Sequence, residues 1–120
     1  MPALLRVFKD VLDIVLLLHG QSVTHYDLKA DNLLLLLNPD RTPSHVAVGD
    51  FGECRIFSHP HTELDMKSRG TECIKSPEML TLALQLKKEN DSYDRRKKIG
   101  TTRASDIWSL GCLFYEILTG

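Results

Sequence analysis

The chain has 120 residues, of which 42% are hydrophobic, and its formal net charge at pH 7 is −1. This length suits one domain and is too short for two, and the near-neutral charge gives no electrostatic reason to expect nucleic acid or an acidic membrane surface as a partner. The longest apolar runs have five residues, whereas a membrane span needs about 20, so we expect no span.

A helix is predicted over residues 3–18, because apolar residues recur there at spacings of three and four. Gly20 is a plausible stop signal for this helix. The polar stretch 25–32 should form a loop. The apolar positions of the helix are Leu4, Val7, Phe8, Val11, Leu12, Val15 and Leu18.

A small β-hairpin is predicted next. Leu33–Leu37 resembles a short buried strand, Asn38-Pro39-Asp40 has strong turn chemistry, and residues 46–48 are β-prone, which implies a rather long connection. We interpret this leucine run, like the apolar run 14–18, as buried core. Residues 49–75 have no clear periodicity and are expected to form an extended, mobile loop.

Two further helices are predicted. Ser76 should cap the first, with Pro77 at its first position and Glu78 near its positive end, and the helix should continue to Leu86. Residues 87–102 are polar, and we interpret their basic run 95–98 as a solvated insertion. The second helix should be central in the fold, because it is apolar around much of its circumference from Ser105 onward. Its apolar face is predicted to hold Ile107, Leu110, Gly111, Phe114, Ile117 and Leu118, extended by Trp108 and Leu113.

Four short motifs carry the chemistry, and each taken alone has an ordinary explanation as a loop or a helix start. Their order and their predicted contexts together resemble the catalytic loop, the magnesium-binding DFG, the APE helix and the central helix of eukaryotic protein kinases. The resemblance covers essentially the whole chain. The motifs are His25-Tyr26-Asp27-Leu28-Lys29-Ala30-Asp31-Asn32, Asp50-Phe51-Gly52, Ser76-Pro77-Glu78 and Asp106-Ile107-Trp108-Ser109-Leu110-Gly111.

The resemblance implies ATP and Mg²⁺ as cofactors and assigns four residues to phosphoryl transfer. Asp27 would accept the proton of the substrate hydroxyl, and Lys29 would reach the γ-phosphate. Asn32 and Asp50 would hold magnesium ions. The alternative for each residue is a solvated polar group in a loop, and the joint spacing argues against that alternative.

The same resemblance assigns structural roles to other residues. His25 and Phe51 should pack together in a hydrophobic spine, with Gly52 completing the motif. Asp106 should accept hydrogen bonds from the catalytic-loop backbone, and Glu78 normally pairs with an arginine of a later helix.

Specificity for serine or threonine is implied by two positions. Thr71 matches the threonine that contacts the catalytic aspartate in serine/threonine kinases, and Lys29 lies two residues after Asp27, where tyrosine kinases usually carry a different loop. The expected partners are therefore ATP and a protein substrate that presents serine or threonine; the oligomeric state is left open.

The sequence departs from the family pattern in three ways, and the first two affect the expected fold. The chain has no glycine-rich loop, no strand lysine of the V-A-I-K type and no helix glutamate to pair with it, and it has no later helix to supply a partner for Glu78. We therefore expect an α+β fold: a protein-kinase-like C-terminal lobe only, mostly helical with a small β-hairpin, forming a partial kinase domain over residues 1–120. Such a chain alone should be inactive and should not bind ATP measurably.

The third departure is Tyr26, which replaces the arginine of the H-R-D motif. By resemblance, that arginine receives the phosphate of the activation loop. A neutral tyrosine cannot supply the charge, and Lys67 and Arg69 lie on the loop itself, where we expect them not to anchor it to the catalytic loop. The complete kinase is therefore predicted to be active without phosphorylation at the loop's acceptor sites, Ser58, Thr62 and Ser68.

Three functions stay open from the sequence. The leading one is ATP-dependent phosphorylation of protein serine or threonine; the rivals are a catalytically silent kinase-like interaction module or truncated fragment, and an unrelated helical binding domain. The three cysteines are odd in number and lack C-x-x-C spacing, which favours a reduced intracellular, cytoplasmic setting. No zinc pattern is formed by Cys54, His59, His61 and Cys73.

Overall fold

A computed structural model describes residues 2–59, 61, 63–88 and 100–120. Within these ranges the chain forms three α-helices and four short β-strands. The helices are α1 (Ala3–Gly20), α2 (Pro77–Lys88) and α3 (Ala104–Thr119), and the strands are β1 (Val23–Thr24), β2 (Leu33–Leu37), β3 (Pro43–Val48) and β4 (Arg55–Ile56). None of the helices in the described part of the chain has the length and apolar character needed to cross a membrane.

Helix α1 confirms the first prediction and ends two residues later than expected, at Gly20. Its buried stripe consists of Val7, Val11 and Val15, spaced four residues apart. The last two of these valines join Leu28, Leu110 and Leu113 in the main core cluster, and Phe8 stacks on Phe114 with ring centroids 4.3 Å apart. The core therefore lies between α1, α3 and the loop that carries Leu28.

The predicted hairpin is present. Strands β2 and β3 are antiparallel, with Leu33 opposite Val48. The turn at residues 38–42 is closed by the Asn38 amide, which donates to the carbonyl oxygen of Thr42 at 2.8 Å. Because β3 already begins at Pro43, the connection is shorter than the sequence suggested.

The interpretation of both apolar runs as buried core is wrong for most of their residues, although Val15 is buried. In β2, Leu34 and Leu36 are 61% and 59% exposed, and in α1 Leu16 is 73% exposed. Successive strand residues point to opposite faces, and α1 packs against this hairpin through β3. Leu35 and Leu37, on the other face, are 48% and 55% exposed as well, so beyond Leu33 neither face of β2 is buried.

Residues 49–75 are expected from the sequence to form an extended loop, and the described part of this stretch is mostly irregular but contains short ordered elements. Strand β4 lies in this stretch and pairs antiparallel with β1, so that Thr24 is opposite Arg55. Further on, Asp65 and Thr101 form an isolated bridge through two backbone hydrogen bonds of 2.8 and 2.9 Å. Strands of two residues are too short to show a period of two, so the sequence offered no signal for them.

Helix α2 begins as predicted. The Ser76 hydroxyl accepts a hydrogen bond from the Met79 amide at 3.2 Å, which is the expected capping contact, and Glu78 lies exposed in the first turn. The helix runs to Lys88, two residues beyond the predicted end. The basic run 95–98 lies outside the described residues.

Helix α3 is present, but its predicted apolar face is only partly right. The buried residues are Ser105, Asp106, Ser109, Leu110 and Leu113, whereas Ile107, Trp108 and Leu118 are 58%, 49% and 63% exposed. Asp106 accepts hydrogen bonds from the backbone of the 25–32 loop, so the face of α3 that carries Asp106 is turned inward. Since successive helical residues are about 100° apart, this orientation turns Ile107 toward solvent.

Candidate active site

The 25–32 loop is attached to α3 through one buried carboxylate. Asp106 is completely buried, and its two oxygens accept hydrogen bonds from the backbone amides of His25 and Tyr26, both at 2.9 Å. A third partner is His19, whose Nε2 lies 2.8 Å from Asp106 Oδ2. The contact expected between Asp106 and the loop backbone is therefore present.

His25 links the loop to the segment that follows β3. Its side chain is fully buried, and its Nε2 lies 2.9 Å from the carbonyl oxygen of Gly49. The Asp27 amide donates to His25 Nδ1 at 3.1 Å. These two contacts require a neutral ring protonated on Nε2. The ring also meets Phe51 edge-on with centroids 4.9 Å apart, which is the packing expected for this pair.

Asp27 lies at the centre of the candidate site. It is 7% exposed, and its Oδ1 accepts a hydrogen bond from the Thr71 hydroxyl at 2.7 Å and another from the Thr71 amide at 3.2 Å. Lys29 Nζ donates to the same hydroxyl at 2.8 Å and lies 3.9 Å from Asp27 Oδ2. Thus three of the residues named from sequence converge on one hydrogen-bonded cluster.

Asn32 and Asp50 lie at the same end of the hairpin. Leu33 is opposite Val48, and the Gly49 amide donates to the carbonyl oxygen of Asn32 at 2.8 Å, so the residues just outside the two strands are neighbours. Asn32 is buried and its amide nitrogen donates to the carbonyl oxygen of Asp27 at 2.8 Å. The side-chain oxygen of Asn32 is thereby left for another partner.

Asp50 occupies an unusual backbone conformation. Its φ is 53°, in the left-handed region that aspartate tolerates better than most residues. Its carboxylate is exposed, and Oδ1 accepts a hydrogen bond from the Gly52 amide at 3.2 Å. The left-handed turn thus leaves an exposed carboxylate one residue after Gly49, the residue that is hydrogen-bonded to Asn32.

Tyr26, in the place of the family arginine, is part of the core. It is 4% exposed and packs with Phe57, Met79 and Leu82. The Thr101 hydroxyl donates to its phenol oxygen at 3.1 Å. Burial raises the pKa of Tyr26 to about 12, so the ring is neutral throughout the physiological range.

The expectation that Arg69 cannot anchor its segment to the catalytic loop is wrong. Its guanidinium lies over the Tyr26 ring, 5.7 Å from the centroid, and also donates to the Glu53 carbonyl oxygen at 3.2 Å. A cation can bind the face of an aromatic ring, so loss of the arginine at position 26 does not disconnect the two segments. Sequence reasoning considered charge pairing at Tyr26 and overlooked this mode of contact.

Gly70 has a steric role that sequence reasoning missed. Its φ is 82°, and a Cβ atom there would lie 2.1 Å from the Tyr26 carbonyl oxygen, far inside van der Waals contact. The backbone therefore lies directly against the 25–32 loop at the residue just before Thr71. Only glycine can occupy this position without displacing backbone.

We accordingly expect Gly70→Ala to separate Thr71 from Asp27. Misplacement by about 1 Å can cost about 10²-fold in rate. For the phosphoryl transfer that the sequence resemblance implies, we expect a loss of that order in turnover, measured with saturating ATP in the complete protein. Gly111→Ala is the control, because a Cβ at that helical glycine meets nothing within 4 Å. Equal activity of the two variants would contradict this assignment.

Comparison with known proteins identifies the family of this chain. A family model described as protein kinase domain matches residues 3–120. A probable serine/threonine-protein kinase of Dictyostelium discoideum is 41% identical over 133 aligned positions, which cover 100% of this chain and 5% of that protein. The serine/threonine-protein kinase cds1 of Schizosaccharomyces pombe is 34% identical, with 94% of this chain and 21% of that protein covered. Human 3-phosphoinositide-dependent protein kinase 1 is 32% identical, with 86% and 15% covered.

The chain therefore belongs to the protein kinase domain family. Its relatives place it among the eukaryotic-type serine/threonine protein kinases. It spans only 5% to 21% of the length of the three relatives described here. The fold is that of a kinase-like domain with helices and small antiparallel sheets.

Proposed function

We propose that the protein transfers the γ-phosphoryl group of ATP to serine or threonine hydroxyls of protein substrates. The observation that carries this proposal is the convergence of Lys29 and Thr71 on the buried carboxylate of Asp27. A carboxylate held in this way can orient a hydroxyl and accept its proton, and phosphoryl transfer depends mainly on such positioning.

In this proposal Asp27 is the base, and the hydroxyl of the substrate would approach the carboxylate that Thr71 holds in place. Lys29 donates a hydrogen bond to Thr71 Oγ1, and its ammonium group forms an ion pair with Asp27. It would neutralise charge that develops on the transferred group. Selection of serine or threonine over tyrosine is assigned to the same Lys29–Thr71 pair.

Asn32 and Asp50 fit Mg²⁺ by their chemistry. Magnesium prefers oxygen ligands, and the two side chains offer an amide oxygen and an exposed carboxylate at one end of the hairpin. When bound there with ATP, the metal would neutralise charge on the phosphates. The chain's own contribution is to hold Asn32 by its bond to Asp27 and Asp50 by its left-handed turn.

We also propose that residues 1–120 form a partial kinase domain, which comprises the catalytic loop, the DFG motif, the activation segment, the APE helix and the central helix. The rival function is a catalytically silent interaction module. The intact set of Asp27, Asn32 and Asp50 favours the enzyme, since a module that only binds partners has no need of this oxygen-rich cluster.

We expect Asp50→Asn to weaken Mg²⁺-dependent nucleotide binding by at least about tenfold, because it removes a charged metal ligand. The measurement is the affinity of the complete protein for ATP with and without Mg²⁺. Asp31→Asn is the matched control: it removes an exposed carboxylate from the neighbouring turn and should change affinity less than about twofold. No Mg²⁺-dependent nucleotide binding in the unaltered protein would instead favour the silent module.

A further inference from the structure

Asp65 lies at the centre of an ion cluster that the proposed chemistry does not use. Its side chain is 1% exposed. One carboxylate oxygen accepts from Arg55 Nη1 at 2.8 Å, and the other accepts from Arg69 Nε at 3.1 Å and from the Lys67 amide at 2.8 Å. The Asp65 backbone is fixed as well, by its two hydrogen bonds to Thr101. A buried carboxylate thus joins two arginines from different parts of the chain.

The two arginines differ in what else holds them. Arg55 also pairs with Glu63, whose other oxygen accepts from the amides of Ser58 and His59. Arg69 has Asp65 as its carboxylate partner within the described residues, together with the Glu53 carbonyl oxygen and the Tyr26 ring. Removal of the charge at Asp65 should therefore affect Arg69 more than Arg55.

Arg69 is also the arginine whose neighbours in the chain contact the candidate active site. Its backbone amide donates to Met79 Sδ at 3.3 Å, and the next residue, Gly70, lies against the Tyr26 carbonyl oxygen. Thr71 then makes its two hydrogen bonds to Asp27. A continuous path of contacts runs from Asp65 through Arg69 and Thr71 to the carboxylate of Asp27, and the stretch from Asp65 to Thr71 has only seven residues.

We propose that Asp65 is a positioning residue for phosphoryl transfer: its buried carboxylate holds Arg69 and thereby fixes Thr71 against Asp27. Residues 69–71 are then anchored by the Asp65 carboxylate, which belongs to the chain itself, and no added phosphate group is needed. This inference rests on the proposed kinase function and goes beyond it by assigning the residue that keeps the segment in place.

The charge state of Asp65 supports this role. Burial raises the pKa of Asp65, but the hydrogen bonds from Arg69, Arg55 and the Lys67 amide outweigh burial and lower the pKa below its ordinary value. The carboxylate is consequently ionised throughout the neutral range, and the anchor is permanent. A phosphate anchor, in contrast, exists only after a modifying enzyme has acted.

The test is Asp65→Asn in the complete protein after phosphatase treatment. The unaltered protein should remain active after that treatment. The variant should lose at least about tenfold in kcat/KM for a protein or peptide substrate, while its KM for ATP changes less than about twofold. Glu63→Gln is the matched control, since it removes a carboxylate from the same cluster without touching Arg69, and it should change these values less than about twofold.

Amide hydrogen exchange gives a readout that does not depend on activity. The Thr71 amide, which donates to Asp27, should exchange at least about tenfold faster in Asp65→Asn, while amides of α1 and α3 keep their rates. Unchanged Thr71 exchange, or a uniform increase over the whole molecule, would overturn the proposal. If the unaltered protein transfers no phosphate, the proposed function fails, and Thr71 exchange still decides whether Asp65 positions the segment.

Discussion

Replacing Asp27 with asparagine is expected to lower the turnover of phosphoryl transfer by about 10²- to 10⁴-fold, the usual contribution of a general base. The asparagine oxygen can still accept the hydrogen bond that Thr71 donates to Asp27, so the shape of the site should persist. What is lost is the capacity to take a proton and the negative charge beside Lys29.

The measurement is steady-state turnover together with equilibrium ATP affinity. The affinity should stay within about twofold, because Asn32 and Asp50, the assigned metal ligands, are unaltered. A variant that kept near-full turnover would show that Asp27 is not the base. A parallel loss of ATP affinity would instead assign Asp27 to nucleotide binding.

Asp106→Ala should produce the largest loss of stability. It leaves the buried amides of His25 and Tyr26 without their acceptor, and it removes the partner of His19. Each unsatisfied buried donor costs about 1–3 kcal/mol, so we expect the free energy of unfolding to fall by about 3–5 kcal/mol in total.

Denaturant unfolding of the complete protein measures this loss, with Asp13→Ala as the control. Asp13 pairs with Lys9 on the exposed side of α1, so its removal should leave the unfolding midpoint unchanged. If both variants unfolded at the same denaturant concentration, the carboxylate of Asp106 would not be what holds the loop to α3.

The sequence predicted those parts of the fold that carry local signals. Helix α1 has its apolar spacing, the hairpin has its turn residues, and α2 has Ser76 as its cap. Each signal lies within a few residues of the element that it specifies. The residues grouped at Asp27 were found because their spacing is a family pattern, although their physical contacts join positions more than 40 residues apart.

The failures came from contacts that no local pattern encodes. The orientation of α3 depends on one polar residue, Asp106, whose partners lie about 80 positions earlier in the chain. A periodicity argument counts only apolar residues, and it therefore chose a face that includes the exposed Ile107. The burial of β2 was overestimated for a related reason. Whether a face of a strand is buried depends on the elements that pack against it, and a local run of apolar residues does not specify those elements.

The ion cluster around Asp65 is a further set of contacts that no local sequence pattern indicated. Asp65 and Arg69 are four residues apart, but they do not lie in a helix, so this spacing alone did not indicate a contact. Arg55, which donates to Asp65, lies in β4, and neither β4 nor its partner β1 was predicted. The role of Arg69 at Tyr26 depends in addition on an aromatic face that a charge-based comparison ignores.

The central claim, phosphoryl transfer to serine or threonine by Asp27, is tested most directly by phosphoamino-acid analysis. The complete protein is incubated with γ-labelled ATP, Mg²⁺ and a mixed protein substrate, in parallel with its Asp27→Asn variant. We predict label on phosphoserine and phosphothreonine with the unaltered protein and a loss of nearly all label with the variant. Label confined to phosphotyrosine, no label at all, or equal labelling by both proteins would contradict the claim.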